Sequence, residues 1–312
     1  MMKKISVLVP CYNEQENVKP MSEAIAKLFE TKCSEYDYEL LFIDNCSTDN
    51  TRQILREICK ANHKVKAIFN TRNFGQFNSP YYGLLQTDGD CTVGLCCDFQ
   101  DPVELIPDMI KEWENGAKIV CGIKKSSKEN KIIRFLRNCY YRLIVSLSNV
   151  EQIENFTGFG LYDKAFLDEL RKIDDPIPFL RGVVAELGFK RVDIPYEQQK
   201  RRAGKTHNNF FTLYDAAMLS FTSYTKAGLR VATISGFVLS ILSLIGALVY
   251  LIMKFMYWDR FEAGMIPVLL AVCVLGSVQL FFIGLIGEYI INMNQRLMKR
   301  PLVIEEERIN FD

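Results

Sequence analysis

Two stretches without a charged residue, Val231–Met253 and Ala263–Gly287, constrain this chain more than anything else in it. About 20 consecutive apolar residues cross the hydrocarbon core of a bilayer, and both stretches reach that length. A single run of this kind is also compatible with a buried core helix, but two in tandem predict a pair of membrane-spanning helices. Lys226 and Arg230 precede the first run, and Arg296, Lys299 and Arg300 follow the second. In the short link, Lys254 and Arg260 are offset by Asp259 and Glu262. This asymmetry predicts an integral protein of the cytoplasmic membrane with both chain ends in the cytoplasm and the link outside. Tyr257 and Trp258 suit the membrane interface.

The residues before the spans have a different character. Lys and Arg number 38 against 37 Asp and Glu over the whole chain, a net charge of +1 that excludes a strongly basic nucleic-acid binder. Met1–Pro10 reads as a strand led by lysines, without the cleavage site of a signal peptide. Several of the ten cysteines, Cys91, Cys96, Cys97 and Cys121 among them, fall in strand-like apolar runs. Free thiols in a reducing compartment are therefore expected. With no CxxC pair and only His63 and His207, a zinc site is not expected.

Strand-like and helix-like segments alternate through the first half. Strands are predicted at Lys4–Pro10, Tyr38–Asn45, Val65–Asn70, Cys91–Cys97 and Lys118–Ile123. Helices are predicted from Glu14 to Thr31, through Ala61 from a cap at Ser47 or Thr48, and over Gln76–Thr87; another opens at Asp101-Pro102. Alternation of this kind predicts a Rossmann-like α/β domain with a mostly parallel sheet covered on both faces. Ligands of such sheets bind beyond the carboxyl ends of the strands. The polar clusters Pro10–Glu14, Asp44–Asp49 and Asp98–Asp101 fall there.

A carboxylate at Asp44 can accept hydrogen bonds from a base or ribose, although Asp-x-x-Ser-x-Asp is also an ordinary cap and turn. In Asp98-Phe99-Gln100-Asp101-Pro102, an extended backbone would turn Cys96, Asp98 and Gln100 to one face. Asp98 and Gln100 offer the oxygens that a hard cation such as Mg2+ prefers, whereas the Cys96 thiol suits softer metals. The plainer alternative is that Asp98 or Asp101 caps the following helix. Lys124–Arg142 reads as a basic amphipathic helix, Lys200–Lys205 is a second basic cluster, and Phe210–Tyr224 is an apolar, aromatic-rich stretch leading into the first span. The basic groups either grip phosphates or lie on an anionic membrane surface. Gln279 and Glu288 are expected to be interfacial or helix-pairing residues, and Gly284 and Gly287 permit close helix pairing, including in a homo-oligomer.

With these clusters in this order, the chain resembles the family-2 glycosyltransferases of the GT-A fold. Within them it is similar to the polyisoprenyl-phosphate glycosyltransferases, the dolichol-phosphate mannose synthase and bactoprenol glucosyltransferase group. The resemblance is carried by Val9-Pro10-Cys11-Tyr12-Asn13-Glu14, Asp44–Thr51, Arg72-Asn73-Phe74-Gly75, Asp98-Phe99-Gln100-Asp101-Pro102, Phe179-Leu180-Arg181-Gly182, and Tyr196-Glu197 before Arg201, Gly204 and Thr206. It extends to the terminal pair of membrane helices.

The resemblance implies a nucleoside-diphosphate sugar as donor, with uridine as the default base, a polyprenyl phosphate acceptor, and Mg2+ or Mn2+ as cofactor. Carried over by position, Pro10, Tyr12, Glu14, Asp44 and Cys96 would meet the nucleotide, and Asp98 and Gln100 the metal. Asp98, Arg134, Arg137 and Arg201 would take part in catalysis, and Lys205 and His207 would meet the acceptor phosphate. The layout implied is a cytosolic GT-A domain over residues 1–207, a juxtamembrane amphipathic helix over 208–228, two membrane helices over 229–292 and a cytosolic tail over 293–312.

The chain departs from the family pattern at three places. Cys96-Cys97-Asp98 stands where Asp-x-Asp is usual, Thr157-Gly158-Phe159-Gly160 lacks an aspartate thought to assist catalysis, and His207 replaces a lysine. A phosphate monoester acceptor is already anionic near neutral pH and has less need of a general base than a sugar hydroxyl. The lost aspartate is then tolerable. In-line attack would invert the anomeric centre, for modification of cell-envelope glycans. Polysaccharide synthases of the same superfamily carry Gln-x-x-Arg-Trp, but neither Trp113 nor Trp258 follows an arginine. A third alternative, a catalytically inactive nucleotide-sugar-binding or scaffold protein, is kept open by Cys96.

Overall fold

The computed structural model describes residues 2–125, 153–203, 210–225, 227–256 and 265–311. The elements at the N-terminal end are β1 (Lys4–Cys11), α1 (Val18–Thr31), β2 (Asp37–Asp44), α2 (Thr51–Ala61), β3 (Val65–Asn70), α3 (Gly75–Leu85) and β4 (Cys91–Gly94). A 3-10 turn at Val103–Leu105 then leads into α4 (Ile106–Glu114) and β5 (Ile119–Lys124). Further on come β6 (Phe156–Asp163), α5 (Lys164–Lys172), α6 (Leu180–Glu186) and β7 (Arg191–Tyr196). The C-terminal part comprises α7 (Phe210–Tyr224), α8 (Ala227–Met256), α9 (Met265–Leu297) and β8 (Glu305–Ile309).

Among the described residues the strands form one sheet in the order β7-β5-β6-β4-β1-β2-β3-β8. Pairings within β4-β1-β2-β3 are parallel, as is β5 with β7, whereas β6 and β8 run against their neighbours. The strands read as near-continuous apolar runs because both faces are covered. Their period of two divides the core. Ile5, Val7 and Val9 of β1 and Leu40 and Phe42 of β2 pack with α1, α2 and α4 on one face. Leu8, Leu41 and Ile43 pack with α3, α5 and α6 on the other. On that second face a Cβ at Gly83 of α3 would lie 2.6 Å from Leu8, so the helix approaches β1 closely only because residue 83 has no side chain.

The four N-terminal strands match their predicted positions, with three differences of local chemistry. α1 begins at Val18 rather than Glu14, because the backbone N–H groups of residues 13–15 donate to Ser47, Thr51 and Asp49 between β2 and the start of α2. α2 begins at Thr51 with no side-chain cap from Ser47 or Thr48; Ser47 Oγ instead accepts from Asn13 N, and Asp49 Oδ1 accepts from Thr51 N. β4 ends at Gly94, three residues short, although Leu95 and Cys97 remain buried.

Gly228–Met256 and Ala271–Leu297 are long and apolar enough to cross a membrane. They expose large apolar side chains along their length, Leu244 at 73% and Phe281 at 68%. At its far end α9 packs on α7: Asn292 Nδ2 donates to Thr222 Oγ1 at 2.6 Å and Tyr289 Oη to the Thr225 carbonyl at 2.9 Å. Glu288 accepts from Tyr214 Oη at 3.0 Å, a helix-pairing role. The chain then returns to the sheet, where β8 lies antiparallel to β3.

Candidate active site

Because β1, β2 and β4 are parallel, their carboxyl ends meet at one edge, and the predicted polar clusters share it. The loops after β1 and β2 are tied residue by residue. Asn13 N donates to Ser47 Oγ at 2.8 Å, Thr48 N to Asn13 Oδ1 at 2.8 Å, and Glu14 N to Thr51 Oγ1 at 2.9 Å. Asn13, Cys46 and Phe99, one after each strand, adopt φ of 56°, 65° and 60°. Asn takes this left-handed region readily, whereas Cys and Phe do so only where the surrounding contacts hold them.

Asp44, the last residue of β2, is fully buried. Its Oδ2 accepts from Ser47 N at 3.1 Å and lies 3.1 Å from Arg52 Nε. Oδ1 is buried without a hydrogen-bond partner. Burial raises the Asp44 pKa above the usual carboxylate value, with Ser47 and Arg52 working against the rise. A buried carboxylate oxygen with no donor is costly unless a ligand supplies one.

The second centre lies after β4. Here the extended geometry anticipated for residues 96–100 is replaced by a turn. Phe99 takes its positive φ, and Gln100 N donates back to Asp98 Oδ1 at 3.1 Å. Cys96 is exposed while Asp98 is buried, so the two do not share a face. Asp101 does not cap the following helix either; its Oδ2 accepts from Cys96 N at 3.1 Å and its Oδ1 from Tyr196 Oη at 2.8 Å. Burial raises the Asp101 pKa, and both bonds oppose the rise.

Arg201 joins the clusters. Its Nε donates to Asp98 Oδ2 at 2.9 Å, and a terminal nitrogen lies 3.8 Å from Glu14 Oε1. Glu14 has a raised pKa, chiefly from burial, with Asn17 and Arg201 lowering it. The segment after β7 is pinned by backbone bonds from Arg202 N to the Asp98 carbonyl and from Gln199 N to the Gln100 carbonyl.

The structure thus brings Glu14, Asp98 and Arg201 into one ionic cluster and sets Asp44 at the end of the adjoining strand β2. Pro10 lies within β1 opposite Ile43, Tyr12 is half-buried at the start of the next loop, and Gln100 is half-buried beside Asp98. Arg134, Arg137, Lys205 and His207 lie outside the described residues. Phe159 is buried at 1% exposure, edge-on to Tyr196 at 5.2 Å between ring centroids, and is a core residue. Sequence reasoning missed Arg52, whose only signal is an arginine in the first turn of the helix after a strand-end acid. It also missed the Tyr196–Asp101 bond, which joins residues 95 apart.

Among the described residues no three His, Cys, Asp or Glu side chains converge as a metal cage. Asp98 and the Gln100 amide are hard oxygen donors. They fit a divalent cation held by one or two protein groups and completed by substrate phosphates, as Mg2+ commonly is.

Residues 6–171 match the model of glycosyl transferase family 2. The protein named Uncharacterized glycosyltransferase YkoT of Bacillus subtilis (strain 168) is 31% identical over 304 residues, covering 95% of this chain and 89% of its own. The bactoprenol glucosyl transferase of Shigella phage SfX is 30% identical over 307 residues, covering 98% and 99%. A prophage bactoprenol glucosyl transferase homolog of Escherichia coli (strain K12) is 29% identical, covering 96% and 98%.

Proposed function

The chain belongs to glycosyl transferase family 2, and from that premise we propose that it moves a hexose from a nucleoside-diphosphate sugar to a membrane polyprenyl phosphate, inverting the anomeric centre. The observation that carries this reading is the pairing of two carboxylate centres at one sheet edge. Asp44 holds a buried oxygen without a donor, suited to a base N–H, and Asp98 with Arg201 holds charge suited to a diphosphate. Uridine is the base of choice, with Pro10, Tyr12, Glu14 and Cys96 as further nucleotide contacts. Asp98 and Gln100 would hold Mg2+ or Mn2+, which supplies positive charge to the departing diphosphate. Arg201 has the fork of donors that grips phosphate oxygens, and releasing Asp98 to the cation would free it for that task. Arg134, Arg137, Lys205 and His207 are proposed acceptor contacts.

The acceptor reading is supported by the bactoprenol glucosyl transferase similarity over almost the whole chain and by the two apolar helices. A phosphate monoester brings its own anionic oxygen, which agrees with Phe159 lying in the core with no carboxylate in its place. The pairing of β8 with β3 supports a membrane hairpin: the segments before and after the two helices share one sheet, so an even number of crossings separates them. The basic residues flanking the hairpin favour the cytoplasm for that side. The open faces of Gly284 and Gly287, with nothing within 4 Å of an added Cβ, leave room for pairing between copies.

The test is transfer. Purified protein with Mg2+ or Mn2+, polyprenyl phosphate and a panel of labelled nucleotide sugars is expected to place label in the lipid fraction, and chelator to stop it. Transfer to a neutral alcohol but not to the lipid phosphate would overturn the acceptor. Cys96, in place of an acid, favours a second reading, an inactive nucleotide-sugar-binding protein; binding without turnover across the full panel would establish it.

A further inference from the structure

The strand that follows the membrane helices is irregular at one residue. Phe69 of β3 stands opposite Glu307, and the next residue, Asn70, stands opposite Glu305, so Glu306 is the extra residue of a β-bulge. Neighbours in a regular strand point to opposite faces, and a bulge re-aims one of them. Here both Glu306 and Glu307 reach α2. Glu307 accepts from Arg56 Nε and a terminal nitrogen at 3.0 and 2.6 Å, and Glu306 accepts from an Arg52 terminal nitrogen at 2.7 Å. Glu305 goes to the other face, where it accepts from Tyr82 Oη at 2.9 Å.

Docking the tail does not require the bulge. Asn310 Nδ2 donates to the Cys59 and Val65 carbonyls at 2.9 and 2.7 Å, Thr71 N donates to the Ile304 carbonyl at 3.0 Å, and Arg56 already holds Glu307. What the bulge adds is a second anchor on Arg52. With one terminal nitrogen held by Glu306 and by the Asn70 carbonyl at 3.2 Å, the Arg52 guanidinium is set against Asp44 as an ion pair, its Nε 3.1 Å from Oδ2 but without a hydrogen bond of its own. That leaves Oδ1 as the unpartnered oxygen.

We propose that Glu306 is a positioning residue of the donor pocket, acting through Arg52 to fix the Asp44 carboxylate that receives the nucleobase. The inference rests on the nucleotide-sugar reading above. It makes the donor pocket depend on a residue beyond both membrane helices, so that the pocket is complete only when the tail has returned to the sheet.

The test uses the full chain in detergent, with UDP and GDP titrated calorimetrically and donor KM and kcat measured alongside. An exposed charge pair is worth up to about 1 kcal/mol, so E306A is expected to raise the Kd for the preferred nucleotide and the donor KM about fivefold, with kcat within about twofold of wild type. E307A removes a tail contact of the same kind without touching Arg52 and is expected to stay within about twofold in all three. In an R52M background, E306A is expected to add nothing further, because a residue acting only through Arg52 has nothing left to act on. E306A without effect, E307A equal to E306A, or an E306A effect undiminished in R52M would each overturn the inference. Failure of the wild-type protein to bind either nucleotide would overturn the nucleotide-sugar reading itself, and the two failures are thereby separable.

Discussion

Replacing Tyr196 with Phe removes one oxygen and leaves the ring where it is, against Phe159. The lost hydroxyl donates to Asp101 Oδ1 at 2.8 Å, and both residues are buried, at 4% and 3% exposure. Water cannot replace the donor at that depth. A hydrogen bond to a buried charged group contributes ~1.5–3 kcal/mol, so the variant is expected to lose about 2 kcal/mol. For a domain of this size that lowers the midpoint of thermal unfolding by about 4–8 °C, read by near-UV circular dichroism in detergent micelles. The sign of the pH dependence follows from Asp101. Burial already raises its folded-state pKa, and the phenol holds it down. Without the phenol the pKa rises further, so the deficit is fully present where Asp101 is ionised and shrinks as pH falls through that pKa. Asp101 also holds Cys96 N, at the start of the turn that carries Asp98, so divalent-metal affinity is expected to weaken in parallel. A deficit below about 0.5 kcal/mol at pH 8, or one that grows on acidification, would refute the reasoning.

Asp98→Ala is expected to cost at least ~100-fold in kcat, while Phe159→Leu keeps most activity; equal loss from both would assign chemistry to the Phe159 segment. Leucine is the informative substitution there, since alanine at so buried a phenylalanine would cost ~3–5 kcal/mol of stability and obscure the result. Because Cys96 and Asp98 do not share a face, Cys96→Asp is expected to leave Mn2+ affinity unchanged, as followed by the free-ion EPR signal, and tighter binding would place residue 96 in the coordination shell. Glu39, buried among Lys66, Ser6 and Lys4, has its pKa held to about 2 by those partners against the upward push of burial. Its contribution to stability is therefore present above the ordinary value near 4.5 and lost as pH falls from there toward 2, and Glu39→Gln is expected to flatten that limb of an acid-unfolding curve.

Strands covered on both faces announce themselves, because Ile5–Val9, Leu40–Ile43 and Val65–Phe69 are apolar at nearly every position. That legibility extends to the site through topology, since parallel strands deliver their ends to one edge, where Asp44 ends β2 and Asp98 follows β4. It ends where long-range partners decide. Leu95–Cys97 reads as more strand because its apolar residues are indeed buried, but Asp101 draws the Cys96 amide into a turn. Glu305–Arg308 reads as solvent-exposed tail, since its charges find Arg52, Arg56, Tyr82 and Gln86 only after folding. Nothing local in the chain marks Tyr196 as the partner of Asp101.

The return of β8 also fixes an order of events during biosynthesis. Arg56 and Glu307 meet across 251 residues, so the nascent domain leaves the ribosome with β3 as an open edge. That edge stays unpaired until the chain beyond both long apolar helices has been made, and β8 then closes it. An unfinished edge is a template for pairing with another chain. Polypeptides stalled before Glu305 are therefore the species expected to aggregate or to recruit chaperones.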